Sequence, residues 1–325
     1  MLKVFNKTNE KAGLVGLYAT PEKLTLAHII RSEARPELMV CEEVVVAGAD
    51  GRADSLEKLV SDHDLEGLRT CFVLSPLDYK LLLVEAPKVE PAEMAGAVKW
   101  KIKDLLGHPV EEMAITVFDV PEGAYRSQSN MVYAVAARKN RIRDVIALVN
   151  GSGLELDVID IPELAMMNLS MACADDSEGL AFLDLREDGS TLNLCRNGEI
   201  FLTRQLSTRV GGQSMSTQEW ETIKDRLTLE IQRSLDYYQS QMGQSMVPVI
   251  LLAPREHDAE GLAHELGLAL GVTVNSLKLS SCLDCQFDLP MAMQKNCMLA
   301  ISGALRQEQG QKVRKPGKAQ KAKAA

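Results

Sequence analysis

Aromatic side chains are scarce. Phe, Trp and Tyr make up 4% of the 325 residues, too few to pave the stacking platforms that hold single-stranded nucleic acid. Long hydrophobic runs are absent as well. The longest, Val247 to Ala253, holds seven residues and contains Pro248, whereas crossing a bilayer takes about 20. Positive charge is in deficit, with a net charge of −9 overall. From Gln311 onward stand six Lys or Arg and no acid, so the rest of the chain carries −15. An acidic body repels nucleic acid and anionic lipid, which leaves the basic end as the one region suited to such contacts. That end, 307–325, is expected to be a disordered solubilising tail.

Catalytic signatures are missing too. The five histidines are His28, His63, His108, His257 and His264. None stands in an HExxH pattern or beside a cysteine as a nucleophile pair. There is no Walker loop, and Ser75, in Leu74-Ser75-Pro76, lacks the Gly-x-Ser-x-Gly elbow. The seven cysteines are odd in number and mostly widely spaced, and Met1 to Lys7 carry no apolar leader core. The expectation is a reduced cytoplasmic setting with separate buried thiols. Cys282 and Cys285 form a CxxC, but zinc needs a second pair or histidines at ligand spacing. No metal site is expected.

What is present is α/β periodicity, twice over. Strand patterns cover Leu14 to Tyr18, Lys23 to Ile30 and Leu38 to Ala47, the second with one apolar face. A helix near Asp54 to Ser61 has Asp54 or Ser55 available as N-cap. Strands at Cys71 to Leu74 and Lys80 to Val84 precede a helix, Ala92 to Leu106. Strands near Ala114 to Asp119 and Met131 to Ala137 lead to a helix from Arg141 to Asn150, a strand from Leu156 to Ile159, and a helix opened by Pro162. The second half repeats the plan, with strands Gly179 to Leu185, Ser190 to Arg196 and Glu199 to Leu206. Asn197-Gly198 marks a tight hairpin. A long helix, Thr217 to Met242, carries the stripe Trp220, Ile223, Leu227, Ile231, Leu235, Tyr238 and Met242. Strand Val249 to Leu252, helix Asp258 to Leu270, strand Val272 to Val274 and helix Met293 to Arg306 complete the chain. Two copies of a mixed-sheet α/β unit, one carrying an insert, leave a cleft between them.

This order, with several local runs, resembles the PilM family, the actin-like component of type IV pilus assembly, in its MSHA-type branch. The carriers are Val84-Glu85-Ala86-Pro87, Glu93 through Trp100 to Leu106, Ala136-Ala137-Arg138-Lys139, Ile159-Asp160-Ile161-Pro162-Glu163-Leu164-Ala165, and Glu230-Ile231-Gln232-Arg233-Ser234-Leu235-Asp236-Tyr237-Tyr238. The cytoplasmic part of GspL in type II secretion shares the plan. The resemblance implies an actin-like ATPase fold of two duplicated lobes. The first spans 1–172 with an insert at about 76–137, and the second spans 173–306 with a reduced insertion.

In active members of that fold two glycine hairpins grip the phosphates through backbone N–H groups, and a carboxylate in each handles metal and water. Here the first hairpin reads Gly16-Leu17-Tyr18-Ala19-Thr20, with Tyr18 in the Asp position and Thr20 in the second Gly position. The second keeps Asp184 but has Arg186 where glycine belongs, with Gly189-Ser190 following. The adenosine loop reads Ala253-Pro254-Arg255-Glu256 instead of a glycine run. A Cβ blocks close backbone approach to phosphate, and Pro254 has no N–H. Only seventeen residues separate Gly212 from Glu230, where active relatives place a nucleotide-covering subdomain. The expectation is a pseudo-ATPase with no cofactor. Were Mg-ATP held, Asp184, Gly189, Ser190, Gly211 and Gly212 would hold it.

The resemblance further implies a partner, the cytoplasmic N-terminal peptide of a PilN-like (in the MSHA branch, MshJ-like) inner-membrane protein. Its expected seat is a groove between the first lobe's main sheet and its insert, and the chain's expected place is the inner face of the inner membrane. Trp100, on a helix face with Lys103, is the candidate anchor. The other reading of Trp100 is a cover for the edge of its own sheet.

Overall fold

The computed structural model describes residues 12–31, 35–126, 130–186, 189–210, 217–257 and 259–307, without the side chains of 49, 50 and 217–220. Gly211, Gly212, the Trp220 side chain and the tail beyond 307 lie outside that description.

The first pass of the chain runs β1 (Leu14–Ala19), β2 (Lys23–Ile30), β3 (Glu37–Val45), α1 (Gly48–Asp62) and β4 (Arg69–Val73). An insert follows, of β5 (Tyr79–Glu85), α2 (Met94–Ile102), β6 (Met113–Asp119) and β7 (Met131–Arg138). Then come α3 (Lys139–Gly151), β8 (Glu155–Asp160) and α4 (Pro162–Cys173). The second pass runs β9 (Leu180–Asp184), β10 (Ser190–Arg196), β11 (Glu199–Leu206), α5 (Thr217–Ser240), β12 (Val249–Leu252), α6 (Ala259–Leu270) and β13 (Thr273–Ser276). A two-residue strand, β14 (Asp284–Cys285), and α7 (Met291–Ala304) end it.

Strand order makes the duplication explicit. One sheet reads β14-β3-β2-β1-β4-β8 and the other β11-β10-β9-β12-β13. Leaving out β14, each is an antiparallel meander followed by two parallel strands. Helices α4 and α7 lie between the two sheets. Ala165, Met166 and Leu169 of α4 and Ala300, Ile301 and Ala304 of α7 share one core with Ile29 and Phe182. On the far side of the first sheet, Leu56 and Val60 of α1 and Val145 and Val149 of α3 cover Val15, Leu17, Leu24 and Leu26. On the far side of the second, α5 and α6 do the same with Leu227, Ile231 and Leu266. The chain crosses back at its end, since β14 pairs with β3 and α7 packs across the first sheet.

The insert is a three-stranded sheet ordered β5-β7-β6. Its central strand β7 alternates as the period of two requires. Val132, Ala134 and Ala136 face Val98 and Ile102 of α2, whereas Val135 and Ala137 face the first lobe.

Three expectations need correction. β2 is not one-faced: Leu24 and Leu26 are buried on one side, Ala27 and Ile29 on the other, and His28 is buried as well. Burial lowers the His28 pKa, partly opposed by the contact of its Nε2 with the Ala12 carbonyl. Helix α1 begins at Gly48, so Asp54 and Ser55 are interior, with the Ser55 hydroxyl donating to the Gly51 carbonyl 2.6 Å away. The first turns, Gly48 to Ala53, lack the apolar spacing that would have marked them. Finally, Cys173 and Cys282 are joined in a disulfide, where separate thiols were expected. Among the described residues no group of His, Cys, Asp and Glu is placed to hold a metal.

Candidate functional site

Two places are candidates: the loops at which the resemblance puts a nucleotide cleft, and a groove beside the insert. At the cleft the β1–β2 turn is closed by Thr20, whose Oγ1 accepts the Lys23 N–H at 3.1 Å and whose carbonyl accepts from Arg52 Nη2 at 2.7 Å. Tyr18, in the expected Asp position, is buried in the core between the sheets. Opposite it, Arg186 Nε lies 3.0 Å from Asp184 Oδ2, and both side chains are largely buried. The guanidinium and the carboxylate thus form a largely buried ion pair. Gly189 has φ +145°, which favours glycine, and among the described residues nothing stands within 4 Å of where its Cβ would be. Ser190 opens β10 fully buried. At the adenosine position Ala253 N–H donates to the Leu183 carbonyl at 2.8 Å, and Arg255 is buried.

A buried polar seam ties the insert, α4 and the second lobe together. Tyr79 donates to Glu163 Oε2 at 2.6 Å, and Asn193 Nδ2 donates to the Glu163 carbonyl at 2.8 Å. Burial pushes the Glu163 carboxyl above the usual range, opposed by the Tyr79 hydrogen bond and the charge of Arg186.

The groove encloses about 730 Å³, within the roughly 300–1,000 Å³ range of ligand sites. Its walls are two unpaired strand edges. β6 is the outer strand of the insert sheet and β8 the outer strand of the main sheet. The unbroken runs 114–118 and 158–161 line the space, as consecutive residues do when a strand presents its edge and not one face. Leu164, Met167, Asn168 and Met171 of α4 form the floor. The β10–β11 turn closes one end. Asn197 and Gly198 have φ +53° and +76°, and a Cβ on Gly198 would stand 2.8 Å from Met171 Sδ. Arg306 also lines the groove and pairs with Asp160 Oδ2, while Asp160 Oδ1 accepts the Ile161 N–H at 2.9 Å. Burial raises the Asp160 pKa against the pull of Arg306. The chemistry on offer is therefore apolar contact plus main-chain hydrogen bonding along an edge.

Trp100 and Lys103 lie elsewhere. Trp100 is 61% exposed on α2, and Lys103 is exposed in the next turn. Neither lines the groove. The groove residues themselves escaped sequence reading because strand edges are set by the order of strands in a sheet. Among the described residues no helix is long and apolar enough to cross a membrane.

No family model matches the chain, and no curated protein does. Among solved structures, a "PilM-PilN type IV pilus biogenesis complex" is similar at TM-score 0.66 and 19% identity, over 91% of this chain and 97% of that one. The cytoplasmic domain of EpsL, an inner-membrane component of the type II secretion system of Vibrio cholerae, aligns at TM-score 0.48 and 10% identity, over 90% and 95%. A Bacteroides thetaiotaomicron protein with an actin-like ATPase fold aligns at 0.49 and 10%, over 90% and 99%. The duplicated sheets, the helices between them and the insert in the first lobe are the architecture of the actin-like ATPases, and that is the fold of this chain.

Proposed function

We propose that this chain is a cytoplasmic adaptor of type IV pilus biogenesis, MshI-like within an MSHA-type machine. It holds the cytoplasmic N-terminal peptide of a PilN-like (MshJ-like) inner-membrane protein and does not turn over ATP. The observation that carries the reading is the groove: apolar, of ligand-site volume, and walled by two unpaired strand edges. An extended peptide adds to such an edge through its main chain and sets its alternate side chains into the apolar floor. The likeness to a PilM–PilN complex supports the same partner class. The ion pair of Asp184 with Arg186 and the Cβ-bearing residues Thr20 and Arg186 support a cleft without nucleotide.

The test is fluorescence anisotropy with a labelled synthetic N-terminal peptide of the PilN-like partner. Saturable binding is expected, lost in Met167→Glu, which places a charge on the groove floor, and retained in Trp100→Ala, which alters the α2 face. Binding lost in Trp100→Ala and kept in Met167→Glu would move the site to α2. Titration with Mg-ATP is expected to show no binding, and micromolar affinity would overturn the pseudo-ATPase half of the proposal.

A further inference from the structure

Asn168 sits on the groove floor, 8% exposed, between turns of α4 that otherwise present Leu164, Met167 and Met171. Its side-chain Nδ2 is buried and has no hydrogen-bond partner among the described residues. A buried amide donor left unpaired is destabilising by about 1–3 kcal/mol, which is why such groups are rare in native folds. The other polar side chains here do not share its state. Asp160 and Arg306 engage each other, and Asp160 also accepts from Ile161. Among the buried side chains that line the groove in the described residues, Asn168 therefore supplies the one unpaired donor, beside the main-chain groups of the two strand edges, and that ion pair leaves no uncommitted charge.

From this we infer that Asn168 is the specificity-determining residue of the groove. It takes an amide carbonyl oxygen from an uncharged, aliphatic, extended segment of the bound peptide. The inference rests on the peptide-groove reading and adds the chemistry of selection to it. Apolar walls reward any aliphatic segment similarly, so they discriminate weakly. A buried donor rejects a ligand that cannot supply the acceptor, because that ligand seals the amide away from water unpaired. It rejects a cationic side chain at that point for the same reason, since ammonium and guanidinium groups only donate. A carboxylate fails differently: it would enter an apolar site where, among the described residues, the lining cation Arg306 is already paired with Asp160. What satisfies all three conditions is a neutral carbonyl oxygen, from the peptide main chain or from a side-chain amide.

The experiment uses the full chain and the labelled N-terminal peptide of the PilN-like partner. Asn168→Ala is expected to weaken binding about tenfold. Asn168→Asp, similar in shape but unable to donate when ionised, is expected to weaken it further. Far-UV circular dichroism and melting of each variant establish that the groove is folded. A peptide series then locates the acceptor. If one Asn or Gln in the peptide, changed to Ala, no longer adds to the effect of Asn168→Ala, the oxygen is a side-chain amide's. If no side chain couples and one amide-to-ester change does, the oxygen belongs to the main chain. Wild-type affinity in both Asn168 variants, together with loss in Met167→Glu, would overturn this inference and leave the groove reading standing. Wild-type affinity in Met167→Glu would overturn the groove reading itself.

Discussion

A Cβ on Gly16 would stand 1.8 Å from the carbonyl oxygen of Ala300 and 2.6 Å from the backbone N of Ala304. Those are backbone atoms of α7, so no rotamer change relieves the overlap. Gly16 lets a helix of the second pass lie directly on the central strand of the first. Gly16→Ala is expected to destabilise by about 3 kcal/mol, the upper end of the usual overpacking cost, a fall in Tm of roughly 6–12 °C at about 2–4 °C per kcal/mol. A melting curve within 1–2 °C of the parent would show that α7 shifts freely. Glu163 permits a second prediction with a definite sign. Burial raises its folded-state pKa, so between its unfolded pKa and that raised value the folded state binds more protons than the unfolded. The group's contribution to stability therefore declines as pH rises through that window. Glu163→Gln keeps an acceptor for the Tyr79 hydroxyl. It is expected to raise Tm by a few degrees at pH 8 and to change it little at pH 4. An equal shift at both pH values would mean that burial of the charge is not what matters.

At the scale of elements, the two places where the chain passes between sheets are tied together. α4 ends at Cys173 before the chain enters β9, and Cys282 lies after β13, before the chain joins the first sheet at β14. The disulfide links those passages across 109 positions of sequence. Closing a loop of that length removes unfolded-state entropy worth roughly 4–5 kcal/mol. Reductant is accordingly expected to lower Tm by about 8 °C or more, and Cys173→Ser to melt low with or without it. A parent melt indifferent to reductant would show that the link does not form in solution. Neither passage was legible as such in the sequence, where Cys282 read as half of a CxxC and β14 is too short for any period to register. Periodic elements were legible. The Asn197-Gly198 hairpin fell where expected, and the α5 stripe Leu227, Ile231, Leu235 and Tyr238 is buried against the second sheet. What periodicity cannot supply is which strand ends at an edge, and the groove is built from two such edges. Asn168 was likewise invisible, because a polar residue in a helix looks the same whether its amide meets water or a sealed cavity.

For the whole molecule, cleft and groove are alternative places for a ligand to lend stability, and linkage separates them in one instrument. A ligand that binds only the folded state stabilises it by RT ln(1 + [L]/Kd), about 2.7 kcal/mol at a hundredfold excess over Kd. The groove draws on β6, β8, α4, the β10–β11 turn and the end of α7, elements from both passes of the chain. A bound peptide therefore opposes unfolding of either lobe, and at a hundred times its Kd it is expected to raise Tm by at least about 5 °C. Mg-ATP at about 1 mM would add about 4 kcal/mol if held with micromolar affinity. With Arg186 against Asp184 and Arg255 buried at the adenosine position, no shift from Mg-ATP is expected. Arg186→Gly alone should not create one, since Thr20, Pro254 and Arg255 still stand where bare backbone would be needed. A shift with Mg-ATP in the parent and none with the peptide would reverse the assignment, making the cleft the working site and the groove an incidental seam beside the insert.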